Sequence, residues 1–124
     1  MKSVFARIAT TFLLGICFSL NVLAKSDGDM TVVEQSSLPR EAQSTLVLIK
    51  QGGPFPYEKD GTVFGNFEKK LPQQKRGYYH EYTVKTPRAW NRGARRIIAG
   101  GQSTTSGEYY YTDNHYESFK QIRR

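Results

Sequence analysis

The sequence predicts an α+β domain with one N-terminal helix packed on a roughly five-stranded antiparallel β-sheet, and three observations carry that expectation. Apolar residues recur at helical spacing in one stretch, between residues 38 and 49. Short β-like runs follow it to the C-terminal end, separated by loops of Gly, Pro, Gln and Ser. No second helical stretch is available to join parallel neighbours, so the runs suit an antiparallel meander.

The first 24 residues stand apart from this domain. Lys2 and Arg7 make a positive start, Ile8 to Leu20 is a mostly apolar run of 13 residues, and Val22-Leu23-Ala24 ends in the pattern a signal peptidase reads. A permanent anchor is the alternative, but the run is shorter than the roughly 20 residues that span a bilayer. Residues 1–24 are therefore expected to be a secretory signal peptide, 25–36 a loose leader and 37–124 the folded domain. Cleavage removes Cys17, the single cysteine, and with it any disulfide or cysteine-based zinc site. It also removes two basic side chains and no acidic one, so the net charge falls from +7 to +5. A hydrophobic content of 38% is too high for a disordered polyelectrolyte. The remaining basic excess points to an anionic partner, and with the signal gone no membrane-seeking segment is left.

Within the leader, Met30-Thr31-Val32-Val33 reads as a short extended piece. Pro39 suits the first helical position, and Glu41 sits favourably in the first turn. Leu38, Ala42, Leu46 and Ile49 form the apolar stripe, widened by Val47. Gly52-Gly53 ends the helix and Pro54 blocks its continuation. After a turn-rich connection the expected strands are Thr62–Phe64, Tyr78–Lys85, Arg95–Ala99, Glu108–Thr112 and Ser118–Ile122, with Gly100–Gly107 a flexible loop.

Charged residues inside the strands carry the chemistry. Alternation places Tyr79, Glu81 and Thr83 on one face and His80, Tyr82 and Val84 on the other. A carboxylate among aromatics in mid-strand needs a partner, because an unpaired buried charge is costly. Cations follow in Arg92-Gly93-Ala94-Arg95-Arg96, with Arg96 and Ile98 facing one way and Arg95 and Ile97 the other. Glu81 with Arg92 and Arg96 makes either a phosphodiester site or a structural ion pair. His115, at a turn before the last strand, is either a surface residue or the acid–base partner of a glutamate. Arginines would stabilise charge on a pentacovalent phosphate. Two histidines without a cysteine form no recognisable zinc site, so neither metal nor cofactor is expected. RNA suits such a site better than DNA, because its 2′-OH is an internal nucleophile that needs only a base.

These residues resemble the secreted microbial guanyl-specific ribonucleases, the group of barnase, binase and ribonuclease Sa, and most closely the last. The resemblance rests on Gly53-Pro54-Phe55-Pro56-Tyr57 with Asp60-Gly61, on Val63-Phe64-Gly65-Asn66 with Glu68, and on Leu71-Pro72. It continues through Gly77 to Val84 with Thr86-Pro87, through Arg92 to Ile98, and through Asp113-Asn114-His115-Tyr116 with Phe119. It implies the microbial ribonuclease fold and metal-independent cleavage of single-stranded RNA 3′ of guanosine, through a 2′,3′-cyclic phosphate. By position it implies Glu81 as general base, His115 as general acid, and Arg92 and Arg96 as phosphate ligands. Guanine would be read by Phe64, Gly65, Asn66, Phe67 and Glu68, with Tyr116 stacking near the scissile phosphate. Phe67 stands where relatives commonly carry an arginine. The implied protein is an exported monomer whose partners are single-stranded RNA and an acidic, barstar-like inhibitor. The alternative on the same fold is a catalytically silent basic domain that binds RNA or another polyanion.

Overall fold

The computed structural model describes residues 30–124; the expected signal peptide and the start of the leader lie outside the described residues. The elements are β1 (Val32–Glu34), a short 3-10 turn (Gln35–Ser37), α1 (Arg40–Gln51), β2 (Thr62–Val63), β3 (Tyr79–Thr83), β4 (Arg96–Gly100), β5 (Tyr109–Thr112) and β6 (Lys120–Arg123). They build one six-stranded sheet in the order β1-β6-β5-β4-β3-β2. From β2 to β6 every neighbouring pair is antiparallel, as the meander requires.

The sheet differs from expectation at its edge. The extended piece before the helix becomes a sixth strand and runs parallel to β6, pairing Val32 with Gln121, Val33 with Ile122 and Glu34 with Arg123. The sheet is therefore mixed. Arg123 also reaches the Glu34 carboxylate through Nε at 2.9 Å, joining the two ends of the described chain.

The helix begins one residue later than its proline suggests. Pro39 is the N-cap, with extended backbone, and its carbonyl accepts the Ala42 and Gln43 amides. Gly52 ends the helix at φ 84°, where a side chain would be strained, and its amide returns to the Ile49 carbonyl at 3.1 Å. Ala42, Leu46 and Ile49 are buried against Tyr82, Val84, Ile97, Ala99 and Tyr111. Full burial of a Leu or Ile side chain contributes about 1.5–3 kcal/mol. Val47 does not widen this stripe, for it is 49% exposed. Thr45 is buried instead, and its Oγ1 donates to the Glu41 or Thr83 carbonyl, both at 3.1 Å, so the helix docks on the last residue of β3.

The other face of the sheet carries a second, more aromatic cluster of Leu71, Tyr79, Ile98, Tyr110 and Phe119. Its phenols are engaged at one end, where Tyr78 and Tyr110 both donate to the Glu108 carboxylate, at 2.6 and 2.7 Å. Tyr79 donates to the Pro72 carbonyl at 2.5 Å. Beyond this cluster, on the same face, lie the charged residues.

Candidate active site

Register brings the charges together. In the β3–β4 ladder Glu81 lies opposite Ile98 and Thr83 opposite Arg96, while in the β4–β5 ladder Arg96 lies opposite Thr112. Glu81, Thr83, Arg96 and Thr112 thus share the face away from the helix, as alternation requires. Arg95 turns to the helix side and pairs with Glu41 at 3.7 Å. His80 also lies on the helix-side face, between Val63 and Ala99, and its buried Nδ1 has no hydrogen-bond partner.

Arg96 is 3% exposed, and its guanidinium is fixed from several sides. Nη1 donates to the carbonyls of Gly93 (3.0 Å) and Arg95 (2.7 Å), and Nε donates to the Tyr116 hydroxyl (3.1 Å). Arg92 precedes β4 rather than lying within it. Its Nε and Nη2 donate to Thr83 Oγ1 at 3.1 and 2.8 Å, a fork closing on one hydroxyl. Nη1 of Arg92 and Nη2 of Arg96 have no hydrogen-bond partner among the described residues, so both retain N–H groups to donate. Both guanidiniums flank Glu81 Oε1 at 3.9 Å, a separation that neutralises charge without direct hydrogen bonds.

Tyr116 closes the cluster. Its hydroxyl donates to Glu81 Oε1 at 2.7 Å while accepting from Arg96, bridging acid and base groups of the site. Burial, and then the bond to Glu81, push the phenol up to about 12, so it is a proton donor throughout the neutral range. The Tyr116 ring stacks on Phe64, 5.2 Å between centroids and 24° between planes, and so lies between the carboxylate and the base-reading segment. His115 is exposed beside it, the two rings 4.8 Å apart. Both residues adopt positive φ, 57° for His115 and 72° for Tyr116. That turn is held by the His115 amide on the Ala94 carbonyl (3.0 Å) and the Tyr116 amide on Thr112 Oγ1 (3.2 Å).

A cavity of about 470 Å³ opens beside these groups. Glu81, His115 and Tyr116 line one side, and the whole segment Phe64-Gly65-Asn66-Phe67-Glu68 lines the other. Asn66 organises that segment: at φ 54° its side-chain amide donates to the Leu71 carbonyl (3.0 Å) and accepts the Leu71 amide (3.1 Å). Glu68 is largely exposed, with Lys70 Nζ 3.6 Å from its carboxylate. The expected site residues thus line this cavity, except Arg92 and Arg96, which stand behind it against Glu81. Three contributors escaped the sequence reading: Thr83, which anchors Arg92, and Lys70 and Arg76, which line the cavity. Arg76 was silent because only the fold brings it over the Phe67 ring, 5.6 Å from its centroid. Among the described residues no three His, Cys, Asp or Glu side chains cluster as metal ligands.

Comparison with known proteins places this geometry. A family model described as ribonuclease matches residues 22–123. The chain is 54% identical over 96 residues to guanyl-specific ribonuclease St of Saccharopolyspora erythraea, covering 75% of this chain and 91% of that protein. It is 56% identical over 87 residues to guanyl-specific ribonuclease Sa of Kitasatospora aureofaciens, covering 70% and 88%. Among solved structures it is similar to ribonuclease Sa2 with guanosine-2′-cyclophosphate, at TM-score 0.69 and 45% identity over 76% of this chain and 96% of that one.

Proposed function

This chain belongs to the ribonuclease family, and from that premise we propose that it cleaves single-stranded RNA 3′ of guanosine, by transesterification and then hydrolysis. The observation that carries the proposal is the convergence of Arg92, Arg96 and Tyr116 on one carboxylate oxygen of Glu81, next to a cavity that His115 shares. Its similarity to guanyl-specific ribonucleases, and to a ribonuclease crystallised with guanosine-2′-cyclophosphate, supports the same reading.

In this mechanism the guanine enters the cavity against Phe64. The Glu68 carboxylate accepts from the base N1–H and amino group, a pair that adenine does not offer, while amides of Gly65, Asn66 and Phe67 donate to O6. Glu81 takes the proton of the ribose 2′-OH, and O2′ bonds to phosphorus. The bond from phosphorus to O5′ breaks as protonated His115 delivers its proton to the leaving oxygen. Arg92 Nη1 and Arg96 Nη2 donate to the nonbridging oxygens, where negative charge grows in the transition state. Tyr116 and the two arginines hold Glu81 ready without consuming the face that meets the substrate. Hydrolysis runs the same relay backward: neutral His115 takes a proton from water, hydroxide bonds to phosphorus, the bond to O2′ breaks, and Glu81 returns its proton to O2′. The product is a 3′-phosphate. The internal nucleophile makes a metal unnecessary.

Residues 1–24 export the protein in this reading, and the catalytic domain starts before residue 37, because β1 (Val32–Glu34), inside the segment expected to be a loose leader, pairs with β6 in the sheet. No helix among the described residues is long and apolar enough to cross a membrane. The mature protein acts as a monomer, and its basic cleft suits an acidic, barstar-like inhibitor. Digesting oligonucleotides that each contain one G, A, U or C, in EDTA, tests the proposal directly. Cyclic-phosphate ends after G are expected, with the rate falling about 10²–10⁴-fold in Glu81→Gln. Salt-dependent binding without cleavage would instead identify a silent polyanion-binding domain.

A further inference from the structure

The large apolar side chains that remain exposed are not spread evenly. Three valines lie between 38% and 49% exposed, whereas Phe67 is 83% and Trp90 95% exposed. Phe67 belongs to the base cavity. Trp90 does not, and nothing in the catalytic scheme employs it. Its position follows from β3, which acts as a ruler along the cleft. At the N-terminal end of the strand the Phe64 amide bonds to the Tyr79 carbonyl, setting the base cavity there. At the C-terminal end Thr83 anchors Arg92. Four residues of strand separate the two levels by about 13 Å. Trp90 lies two residues before Arg92, so its Cα is at most about 7 Å from that of the phosphate ligand. Along β3, Glu81 and the Thr83–Arg92 pair therefore stand between the level of the base cavity and the β3–β4 connection that carries Trp90.

The loop around Trp90 suits a strand of phosphates and bases. Residues 85–95 contain Lys85, Arg88, Arg92 and Arg95 and no carboxylate. Arg88 is exposed and forms no ion pair among the described residues, and with Arg92 it flanks Trp90 two positions to each side. The backbone is tied on both sides. One turn closes with the Ala89 amide on the Thr86 carbonyl (3.1 Å), and a second with the Gly93 amide on Asn91 Oδ1 (2.9 Å). The two turns touch so closely that a Cβ on Gly93 would fall 2.4 Å from Thr86 Oγ1. An indole held in water on a fixed, cationic loop is poised for a flat, anionic partner. A nucleobase on a phosphate chain meets both requirements, since every base has a π-face and each phosphate a charge.

We propose that Trp90 is a stacking platform for the nucleobase immediately 3′ of the scissile phosphate, with Arg88 meeting the phosphate beyond it. The proposal rests on the endoribonuclease reading. Guanosine in the cavity and the next base on Trp90 would pin the strand on both sides of the bond to be cut.

Trp90 is the chain's single tryptophan, so its fluorescence reports the site alone. The probe is an RNA trinucleotide, guanosine first, whose guanosine lacks the 2′-OH and so resists cleavage. Titration should quench the indole, and the same trinucleotide without its second base should leave it unchanged. Kinetically, Trp90→Ala should lower the ratio of trinucleotide to guanosine 2′,3′-cyclic phosphate kcat/KM by about fivefold to a hundredfold. Trp90→Phe should recover most of that loss. Equal quenching by both analogues, or a ratio unchanged in Trp90→Ala, overturns the platform. If the wild type cleaves neither substrate the endoribonuclease reading fails instead, and the fluorescence comparison still decides the binding site.

Discussion

The two ends of the cleft are built in opposite ways. At the phosphate end, Arg96 is buried and spends three hydrogen bonds on protein partners, Glu81 is only 18% exposed, and both project from strands paired on each side. At the base end the groups sit on a connection between β2 and β3, Glu68 is 76% exposed, and a single asparagine side chain holds the backbone shape. Glu81 and Arg96 must keep their geometry within fractions of an ångström, and both are set into the sheet, whose ladders cannot drift independently; His115 and Arg92 are carried by the turns that adjoin it. Base selection has only to favour one hydrogen-bond pattern over another, and a loop supports that. Errors at the first end should appear in kcat, and errors at the second in selectivity.

The largest test of this division is Arg96→Lys. A lysine retains the charge but not the fork that reaches carbonyls, phenol and phosphate together. It should lower kcat about 10²–10³-fold with little change in preference for G over A, measured on dinucleotide substrates beside a thermal melt that confirms folding. A loss confined to KM would mean that the phosphate end only binds. Smaller, and opposite in character, is Glu68→Gln. Discrimination between G and A should fall about tenfold to a hundredfold, as expected for a lost hydrogen bond to a charged group, while kcat on G substrates changes little. A drop in kcat with selectivity intact would erase the contrast.

The smallest effect concerns two tyrosines that border both ends, buried Tyr79 of β3 and half-buried Tyr116 of the turn before β6. Burial holds the Tyr79 and Tyr116 phenols up at about 12, against 10.0 for an unperturbed tyrosine. Because the folded state favours the protonated phenol, this stabilisation is complete below about pH 10 and is lost as pH rises from there through about 12. Melting temperature should decline over that window, with phenolate absorbance appearing during the unfolding transition. Tyr116→Phe should flatten part of the decline, and a melting temperature constant to about pH 11 would contradict the assignment.

Strand alternation alone puts Glu81 and Arg96 on one face, because a period of two leaves no other choice once Tyr82, Val84 and Ile97 are assigned to the core. The helix is equally legible from Leu38, Ala42, Leu46 and Ile49. Less so is the division between Thr45 and Val47. Hydrophobicity favours burying the valine, but helix geometry aims position 45 at the free Thr83 carbonyl, and a hydroxyl satisfies it. The parallel pairing of β1 leaves no trace either, since three residues carry too short a pattern to name a partner at the far end of the chain. The base-reading segment became visible only through resemblance to a family, because its action depends on backbone amides, which every sequence has. Arg76 and Thr83 matter through contacts made across the fold, which spacing does not encode.

Two consecutive non-glycine residues, His115 and Tyr116, occupy left-handed backbone. Each such residue costs on the order of 1–2 kcal/mol relative to one free of that conformation. Glycine or asparagine at either position would relieve the cost, and it would also discard the imidazole or the phenol. A library of this protein selected for heat resistance alone would therefore drift away from activity at these two positions, trading a proton donor for a more comfortable turn.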